Sequence, residues 1–530
     1  MTPLVVSVFG STVDEVRGRI DEALGGGAEM IELRLDMMPE VSDDDVRSLR
    51  KSTPPTIPFI LTIRSNTEGG DYDGTDDQRI SRLIEVGPWA EYLDIELATW
   101  QRSANLRQKI GLALNRAGHI SQHGGVESID VSTPRKLILS RHDVKTRPPG
   151  LQKDLVEMLS APACDVPKLA WRARSIRDCF EAFEIMRDSP RPVMAICMGE
   201  EGLISRVLAK KFGAAAAFAS IGAGLESADG QLPLKTMREK YRWDRIGPAT
   251  RVYGVVGDPV RYSLSPQIHN GALAAAGIDA VYLPMLVRGG YESFKAFMVE
   301  VLARPWLGFG GLSVTMPHKV SAFNFLDERG AMIDPQTRRI GAVNTIKIEN
   351  DSTLSACNTD APAAIDALCS GMKCGPGDLK GVRCLVLGAG GMARAIVAEL
   401  VGCGAQVSIT NRTQTRSESL AGELGAEWVT WEDRVQQDPK VLVNCTSVGQ
   451  APDIDESPMP RDSLQPGMVV FDTVYRPRRT ALMKAGAERG CTVVGGCVLF
   501  EMQAARQFEF WTGRRLAGEV FKVPPVKDED

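Results

Sequence analysis

Lys168 stands inside "PKLAW" (167–171), a short apolar run of the kind that forms a buried strand. An ammonium is costly to take out of water, so a lysine there is either at an edge or at work. Burial disfavours the charged form and can leave a neutral amine able to attack a carbonyl and form a Schiff base. His142, at the end of "KLILSRH" (136–142), is the natural proton carrier, because its unperturbed pKa lies near neutrality. Arginines at 34, 64 and 206 offer forked donors for a carboxylate or other polar substrate. The same letters also fit a plainer arrangement, a lysine snorkelling from a strand end and a hydrogen-bonded core histidine.

A second constellation lies beyond residue 250. Ser263 and Ser265 flank one residue in "YSLSPQIHN" (262–270), so both hydroxyls can face one cleft. "GLSVTMPHK" (311–319) ends on Lys319, and "CNTDA" (357–361) holds Asp360. As an ion pair they would fix an amine where a substrate hydroxyl gives up its proton while hydride leaves; apart, they would be an ordinary solvated lysine and aspartate. "VLGAGGMARAIVAEL" (386–400) reads as strand, glycine turn and helix, and Gly388, Gly390 and Ala393 match G-x-G-x-x-A. Such a turn lets the backbone approach a pyrophosphate at a helix N-terminus. The next strand, "QVSIT" (406–410), runs into "NRTQTR". An acidic residue there would bind the ribose hydroxyls of NAD, whereas Asn411, Arg412, Thr413 and Arg416 offer donors and positive charge to a 2′-phosphate. That favours NADP, although a solvated strand-end cluster would carry the same letters.

To converge, these groups need a scaffold. Eight apolar or alternating runs recur from residue 4 to about 220: "LVVSVF", "MIELRL", "PFILTI", "EYLDIEL", "KLILSRH", "PKLAW", "PVMAICM" and "AAAAFAS". Helix-like segments such as 103–117 and 175–187 lie between them. The alternation predicts an α/β fold of the (β/α)8 TIM-barrel kind, with chemistry at the carboxyl ends of the strands; an open doubly wound sheet is the alternative. In "IELRLD" (31–36) the charges of Glu32, Arg34 and Asp36 share one face, which a barrel turns inward. The same spacing pairs Thr62 with Arg64, Asp94 with Glu96 and Ser140 with His142. "RWDRIGPAT" (242–250) marks a boundary, after which strand-helix units resume around the glycine fingerprint.

"ELRLD", "TIRSNTEGG", "RHD", "PKLA", "GLISR" and "SADGQ", in this order, resemble type I 3-dehydroquinate dehydratase over about residues 4–240. The resemblance implies that Lys168 forms the imine and that His142, oriented by Glu68, is the acid/base that eliminates water. It also implies substrate contacts from Ser7, Glu32, Arg34, Arg64, Arg206, Ser227 and Gln231, the last two on a loop that closes over the site. Val144 stands where many relatives have Phe and Cys197 where many have Ser, which bears on packing around the site. Residues 251–523, with "GAVNTI", "NCTSVG", "DTVYRP" and "MQAARQFEFWTG", resemble shikimate dehydrogenase. That resemblance implies a catalytic pair of Lys319 and Asp360. Ser263, Ser265, Thr315, Asn344, Tyr475 and Gln503 would hold the carboxylate and hydroxyls of shikimate. Gly388, Ala389, Gly390, Gly391 and Ala393 would form the NADP turn, and Leu499 replaces a methionine common near the nicotinamide, a volume-conserving change.

The expected organisation is a dehydratase barrel over 1–245, a shikimate-binding α/β domain over 250–362 completed by 496–530, and a Rossmann-like NADP domain over 363–495. Joined, the halves would convert 3-dehydroquinate to 3-dehydroshikimate and then, with NADPH, to shikimate. A preference for quinate or NAD in the second half, or a catalytically dead metabolite sensor, are the alternatives. The formal charge of −5, from 62 basic and 67 acidic residues without a basic tract, argues against nucleic acid as a partner. Eleven cysteines without a CxxC pair, and histidines at 119, 123, 142, 269 and 318 outside metal-ligand spacing, point to a reduced cytoplasm and no metal. "MTPLVVSVFG" lacks a signal-peptide pattern and no apolar stretch is long enough for a bilayer, so no membrane partner is expected. The lack of a plastid transit segment favours a bacterial or processed chain.

Overall fold

The computed structural model describes residues 2–38, 40–115 and 135–524. His119, His123, the end of the 103–117 segment and residues 525–530 lie outside the described residues. The chain divides into two compact units, Met1–Thr250 and Arg251–Asp530.

In the first unit, β1 (Leu4–Val8), β2 (Met30–Arg34), β3 (Phe59–Thr62), β4 (Tyr92–Glu96), β5 (Lys136–Asp143), β6 (Cys164–Arg172), β7 (Met194–Met198) and β8 (Ala217–Ala219) form one sheet. All its pairings are parallel, in the order β7-β6-β5-β4-β3-β2-β1-β8. Just before the two end strands, the Ala215 N–H donates to the Val193 carbonyl at 3.1 Å. The result is the nearly closed eight-stranded barrel that the alternation predicts. Polar caps start several of the intervening helices. Thr12 accepts from the Glu15 N–H at the head of Val13–Gly25, and Ser42 makes a capping box with Asp45 at the head of Asp43–Ser52, satisfying amides that a first turn leaves free.

The strand pleat sorts the barrel interior into layers. Val5, Met30, Ile60, Ile138 and Phe218 belong to one apolar cluster, with Tyr92 and Val166 packed against it. Two residues further along the same strands stand Ser7, Glu32, Thr62, Ser140, Ser220, Asp94 and Lys168. Because strand side chains alternate with period two, an apolar floor is followed by a layer that shares its face, and here that layer is polar. Leu33, Leu61, Leu93, Leu139 and Leu169, in the opposite phase of the pleat, are buried on the outer face, where a barrel packs its helices.

In the second unit, β9 (Arg251–Gly257), β10 (Ala280–Leu286), β11 (Phe309–Val314), β12 (Met332–Ile333), β13 (Thr345–Ile348) and β14 (Leu354–Cys357) make a mixed sheet in the order β10-β9-β11-β13-β14-β12. β13 runs antiparallel to β11 and β14, so its start lies on the same edge as their carboxyl ends. The residues on that edge include Thr315, Lys319, Asn344 and Asp360. A second sheet, of β15 (Arg383–Leu387), β16 (Gln406–Thr410), β17 (Glu427–Trp428), β18 (Val441–Asn444), β19 (Val469–Asp472) and β20 (Thr492–Gly495), is parallel throughout, in the order β17-β16-β15-β18-β19-β20. The order reverses between β15 and β18, the crevice where such sheets take their ligands. Val386 packs into one core cluster while Leu385 and Leu387 pack into another, as a sheet covered on both faces requires. After β20 the helix Gly496–Thr512 returns to the mixed sheet, where Trp511 Nε1 donates to the Ile346 carbonyl at 2.9 Å.

Candidate active sites

Above the apolar floor of the barrel lies a cavity of about 220 Å³. Glu32, Arg34, Arg64, Glu68, His142, Lys168, Arg206, Ser227 and Gln231 all line it. Ser7 stands beside it and donates to Glu32 Oε2 at 2.6 Å. Lys168, 4% exposed, donates from Nζ to Asp94 Oδ2 at 2.9 Å and to Glu32 Oε1 at 3.4 Å, with the Phe218 ring centroid 4.4 Å away. Alone at this depth an ammonium would be very costly, and the two carboxylates offset that cost. The sequence shows an amine in an apolar run; the fold surrounds it with acids delivered by β2 and β4.

Those acids are themselves held. Thr62 donates to Glu32 Oε1 at 2.9 Å, while Asp94 Oδ1 accepts from Arg64 Nη2 at 2.8 Å and Ser140 Oγ at 2.5 Å. Burial works against both anions, yet Arg64 and Lys168 keep the Asp94 carboxyl well below its usual range, and Lys168 and Arg34 lower that of Glu32. The His142 backbone N–H donates to Glu68 Oε2 at 2.8 Å, and His142 Nδ1 stands 3.3 Å from the same oxygen. Burial, against the pull of Arg64, raises Glu68 to about 7. Burial also keeps His142 well below its ordinary value, helped by the Arg64 and Lys168 cations. A neutral imidazole inside the cavity is fit to accept a proton.

The three arginines differ in what they have left to offer. Arg64 Nη1 also reaches Ser140 at 2.7 Å and Glu96 at 3.4 Å, and Arg34 makes a forked pair with Asp36 at 3.1 and 2.7 Å. Arg206 makes no ion pair among the described residues. Its Nη2 donates to the Asp229 carbonyl at 3.1 Å, its Nε has no partner, and burial lowers its pKa to about 10. A buried guanidinium with unused donors is suited in charge and geometry to a carboxylate. Asp229 sits in the loop that carries Ser227 and Gln231. Its side chain pairs with Arg172, its carbonyl accepts from the Gly199 N–H at 3.2 Å, and Gln231 Oε1 accepts from the Ser227 N–H at 2.8 Å. Val144 lines the cavity, and Cys197 is buried with its N–H on Ser205 Oγ at 3.0 Å.

In the second unit Lys319 Nζ lies 2.6 Å from Asp360 Oδ2, both groups buried. Each residue opens a helix, Lys319–Glu328 after β11 and Asp360–Met372 after β14. A methyl at Gly391 would stand 3.0 Å from Lys319 Cβ and Cδ, so the glycine turn and the amine share one crevice. Thr315 closes β11 with its N–H on the Val256 carbonyl at 2.9 Å, and Ser263 Oγ accepts from the Ser265 N–H at 3.2 Å. Asn344 donates from Nδ2 to Thr359 Oγ1 at 2.9 Å, beside Asp360. Tyr475 packs its ring on Phe500 at 4.8 Å, with burial pushing its phenol up, and Gln503 donates to the Phe500 carbonyl at 3.1 Å.

The nucleotide turn fits a pyrophosphate. Gly388 holds φ at 108°, a left-handed value that favours glycine, and a side chain there would also stand 3.0 Å from the Cys445 carbonyl. Gly390 precedes the helix Gly391–Gly402 with no side-chain cap, and the space a side chain at Gly390 would take is open. The first-turn amides are thus left to a ligand. Ala389 is half-buried and Ala393 fully buried against the sheet. Beyond β16, Asn411 Nδ2 donates to the Thr413 carbonyl at 3.0 Å and shapes the turn, while Arg412, Thr413 and Arg416 are exposed. Asn411 therefore supports the turn, and the exposed cations suit a 2′-phosphate.

Several site residues escape a reading of the letters alone. Asp94, Thr62 and Ser140 show in the period-two pattern as inward-facing, but the pattern does not show that Asp94 pairs with Lys168 or that Thr62 and Ser140 hold the two acids beside it. Arg172 and Met198 also line the cavity; each follows by two residues an inward-facing residue of its strand. Phe218 lies in an alanine-rich run with nothing to single it out. Among the described residues no helix is long and apolar enough to cross a membrane, and no cluster of three His, Cys, Asp or Glu could hold a metal ion.

Comparison with known proteins covers both units. The family described as "Type I 3-dehydroquinase" matches residues 4–248, "Shikimate dehydrogenase substrate binding domain" matches 255–346, and "Shikimate / quinate 5-dehydrogenase" matches 372–449. A chloroplastic bifunctional 3-dehydroquinate dehydratase/shikimate dehydrogenase of Arabidopsis thaliana is 32% identical over 97% of this chain and 82% of its own length. Shikimate dehydrogenases (NADP(+)) of Methanosarcina acetivorans and Geobacillus kaustophilus are 34% and 38% identical; they cover 51% and 50% of this chain, and 96% and 93% of their own lengths are matched. With one relative aligned across both units, the chain belongs to the family of bifunctional 3-dehydroquinate dehydratase/shikimate dehydrogenases.

Proposed function

We propose that this chain catalyses two consecutive reactions. Residues 1–245 dehydrate 3-dehydroquinate to 3-dehydroshikimate, and residues 250–530 reduce 3-dehydroshikimate to shikimate with NADPH. In the second half, 250–362 with 496–530 hold the acid and 363–495 hold the cofactor. The observation that carries the reading is a pair of buried lysines in one chain. Lys168 stands with Asp94 and Glu32 at the floor of a cavity shared with His142, and Lys319 stands with Asp360 beside an uncapped glycine turn.

In the barrel, Lys168 attacks the ketone carbon and, with loss of water, forms an imine whose positive charge Asp94 and Glu32 stabilise. His142 takes a proton from the adjacent carbon and returns it to the departing hydroxyl, which leaves as water. Water then hydrolyses the imine and frees the amine. Glu68 orients the imidazole, Arg206 receives the carboxylate, and Ser227 and Gln231 cover the ligand. Arg34, Arg64 and Ser7 act mainly through the carboxylates they hold.

In the second unit Gly388–Ala393 would hold NADP(H), with Arg412 and Arg416 on its 2′-phosphate, and the bound cofactor would supply or accept hydride. Lys319 gives the proton to the ketone oxygen as it becomes a hydroxyl, and Asp360 holds the ammonium in place. Ser263, Ser265, Thr315, Asn344, Tyr475 and Gln503 surround the carboxylate and hydroxyls. Eleven free cysteines support a reducing, cytoplasmic setting.

Supplying 3-dehydroquinate and NADPH to the purified chain tests both steps, with NADPH oxidation expected without a second enzyme. If neither 3-dehydroquinate nor 3-dehydroshikimate is turned over, the reading is overturned in favour of a binding protein. Borohydride added during turnover should attach substrate mass to the peptide bearing Lys168, and a label elsewhere removes that residue from its role. Values of kcat/KM should favour shikimate over quinate and NADP+ over NAD+.

A further inference from the structure

Behind the residues that surround the second lysine runs a buried chain of hydrogen bonds that no step above uses. The Tyr282 hydroxyl donates to Ser313 Oγ at 2.6 Å, and Ser313 donates to Gln507 Oε1 at 2.8 Å. Gln507 Nε2 donates to the Asn344 carbonyl and to Thr345 Oγ1, both at 3.1 Å, and Thr345 Oγ1 donates to Asn344 Oδ1 at 2.7 Å. The directions are forced. A backbone carbonyl can only accept, so the Gln507 amide must turn its nitrogen to Asn344 and its oxygen to Ser313. The Thr359 N–H can only donate, and it does so to Asn344 Oδ1 at 2.8 Å. The Asn344 amide is therefore also fixed, with one N–H on Thr359 Oγ1 and a second left for a further acceptor. Gln507, Asn344, Thr345, Ser313 and Tyr282 are all buried. The chain ties β10, β11 and β13 to the helix Gly496–Thr512, on which Gln503 stands one turn before Gln507.

We propose that Gln507 is a positioning residue of the dehydrogenase site. It holds the Asn344 backbone carbonyl and the Thr345 hydroxyl that donates to Asn344 Oδ1, and so fixes where the Asn344 side chain stands and governs affinity for the hydroxyls of the acid without touching it. The inference rests on the reading that Asn344 binds shikimate.

A double-mutant cycle on the full chain separates the two claims. Asn344→Ala should raise KM for shikimate; an unchanged value would sink the binding reading itself. Gln507→Leu should raise KM for shikimate about tenfold, the cost of unpaired buried polar groups, with KM for NADP+ and the dehydratase rate within about twofold of wild type. In the double variant KM should be no higher than in Asn344→Ala alone. Should the two effects instead multiply, or KM for both substrates rise together, Gln507 has only a structural role. Ser313→Ala, a milder cut in the same chain, should raise KM for shikimate in the same selective way if Gln507→Leu does not fold, and an unselective rise there overturns the proposal equally.

Discussion

Glu68 and His142 share a wall of the barrel cavity, and burial moves their titrations in opposite senses. Glu68, raised from 4.5 to about 7, favours its protonated form in the fold. The stability it contributes is full below pH 4.5 and is lost as pH rises through about 7. His142, held below its ordinary value, carries the opposite sign: its contribution is present above pH 6.5 and lost as pH falls. Glu68→Gln removes only the first of these. Between pH 5 and 8 the unfolding midpoint of the variant should gain on wild type, with a limit of about 3 kcal/mol. A midpoint difference that does not change with pH would place the Glu68 titration elsewhere. The same substitution should slow dehydration most above pH 7, where the wild-type Glu68 is ionised and stabilises an imidazolium as an amide does not.

Among the elements, the glycine turn after β15 is the most exacting. Gly391 opens its helix against the stem of Lys319, and an alanine methyl there would come to 3.0 Å from two of its carbons. Gly391→Ala should displace the amine by a few tenths of an ångström and lower kcat for ketone reduction about tenfold, leaving dehydration unchanged. Stopped-flow rates with saturating NADPH check this, and an undiminished kcat would show that the stem has room to move. Much of this was legible as letters, because a fingerprint with its strand and helix is local. The barrel layers were legible too, since period-two spacing put Glu32, Asp94 and Ser140 on one face. The partners of Lys168 were not: Asp94 and Glu32 lie 74 and 136 residues away, and only strand order brings them together. Gln507 was equally hidden, a polar residue on a helix whose partners, on β11 and at the start of β13, lie 162 to 194 residues earlier.

On the scale of the whole molecule, each lysine draws its partners from its own unit, so the two activities should fail one at a time. Lys168→Ala should abolish dehydration, by about four orders of magnitude or more for a lost covalent nucleophile, with ketone reduction at the wild-type rate. Lys319→Ala should do the reverse. Separate assays with 3-dehydroquinate and 3-dehydroshikimate read the two rates, and a folded variant that loses both would tie the sites together. A different consequence follows from Arg206, which donates to the Asp229 backbone and, in the proposed complex, to the substrate carboxylate. Occupancy and ordering of the 222–231 segment then become linked quantities, each strengthening the other by one common factor. A bound carboxylate should thus shield that segment from proteases, and severing the Arg172–Asp229 pair should shorten the residence time of the acid.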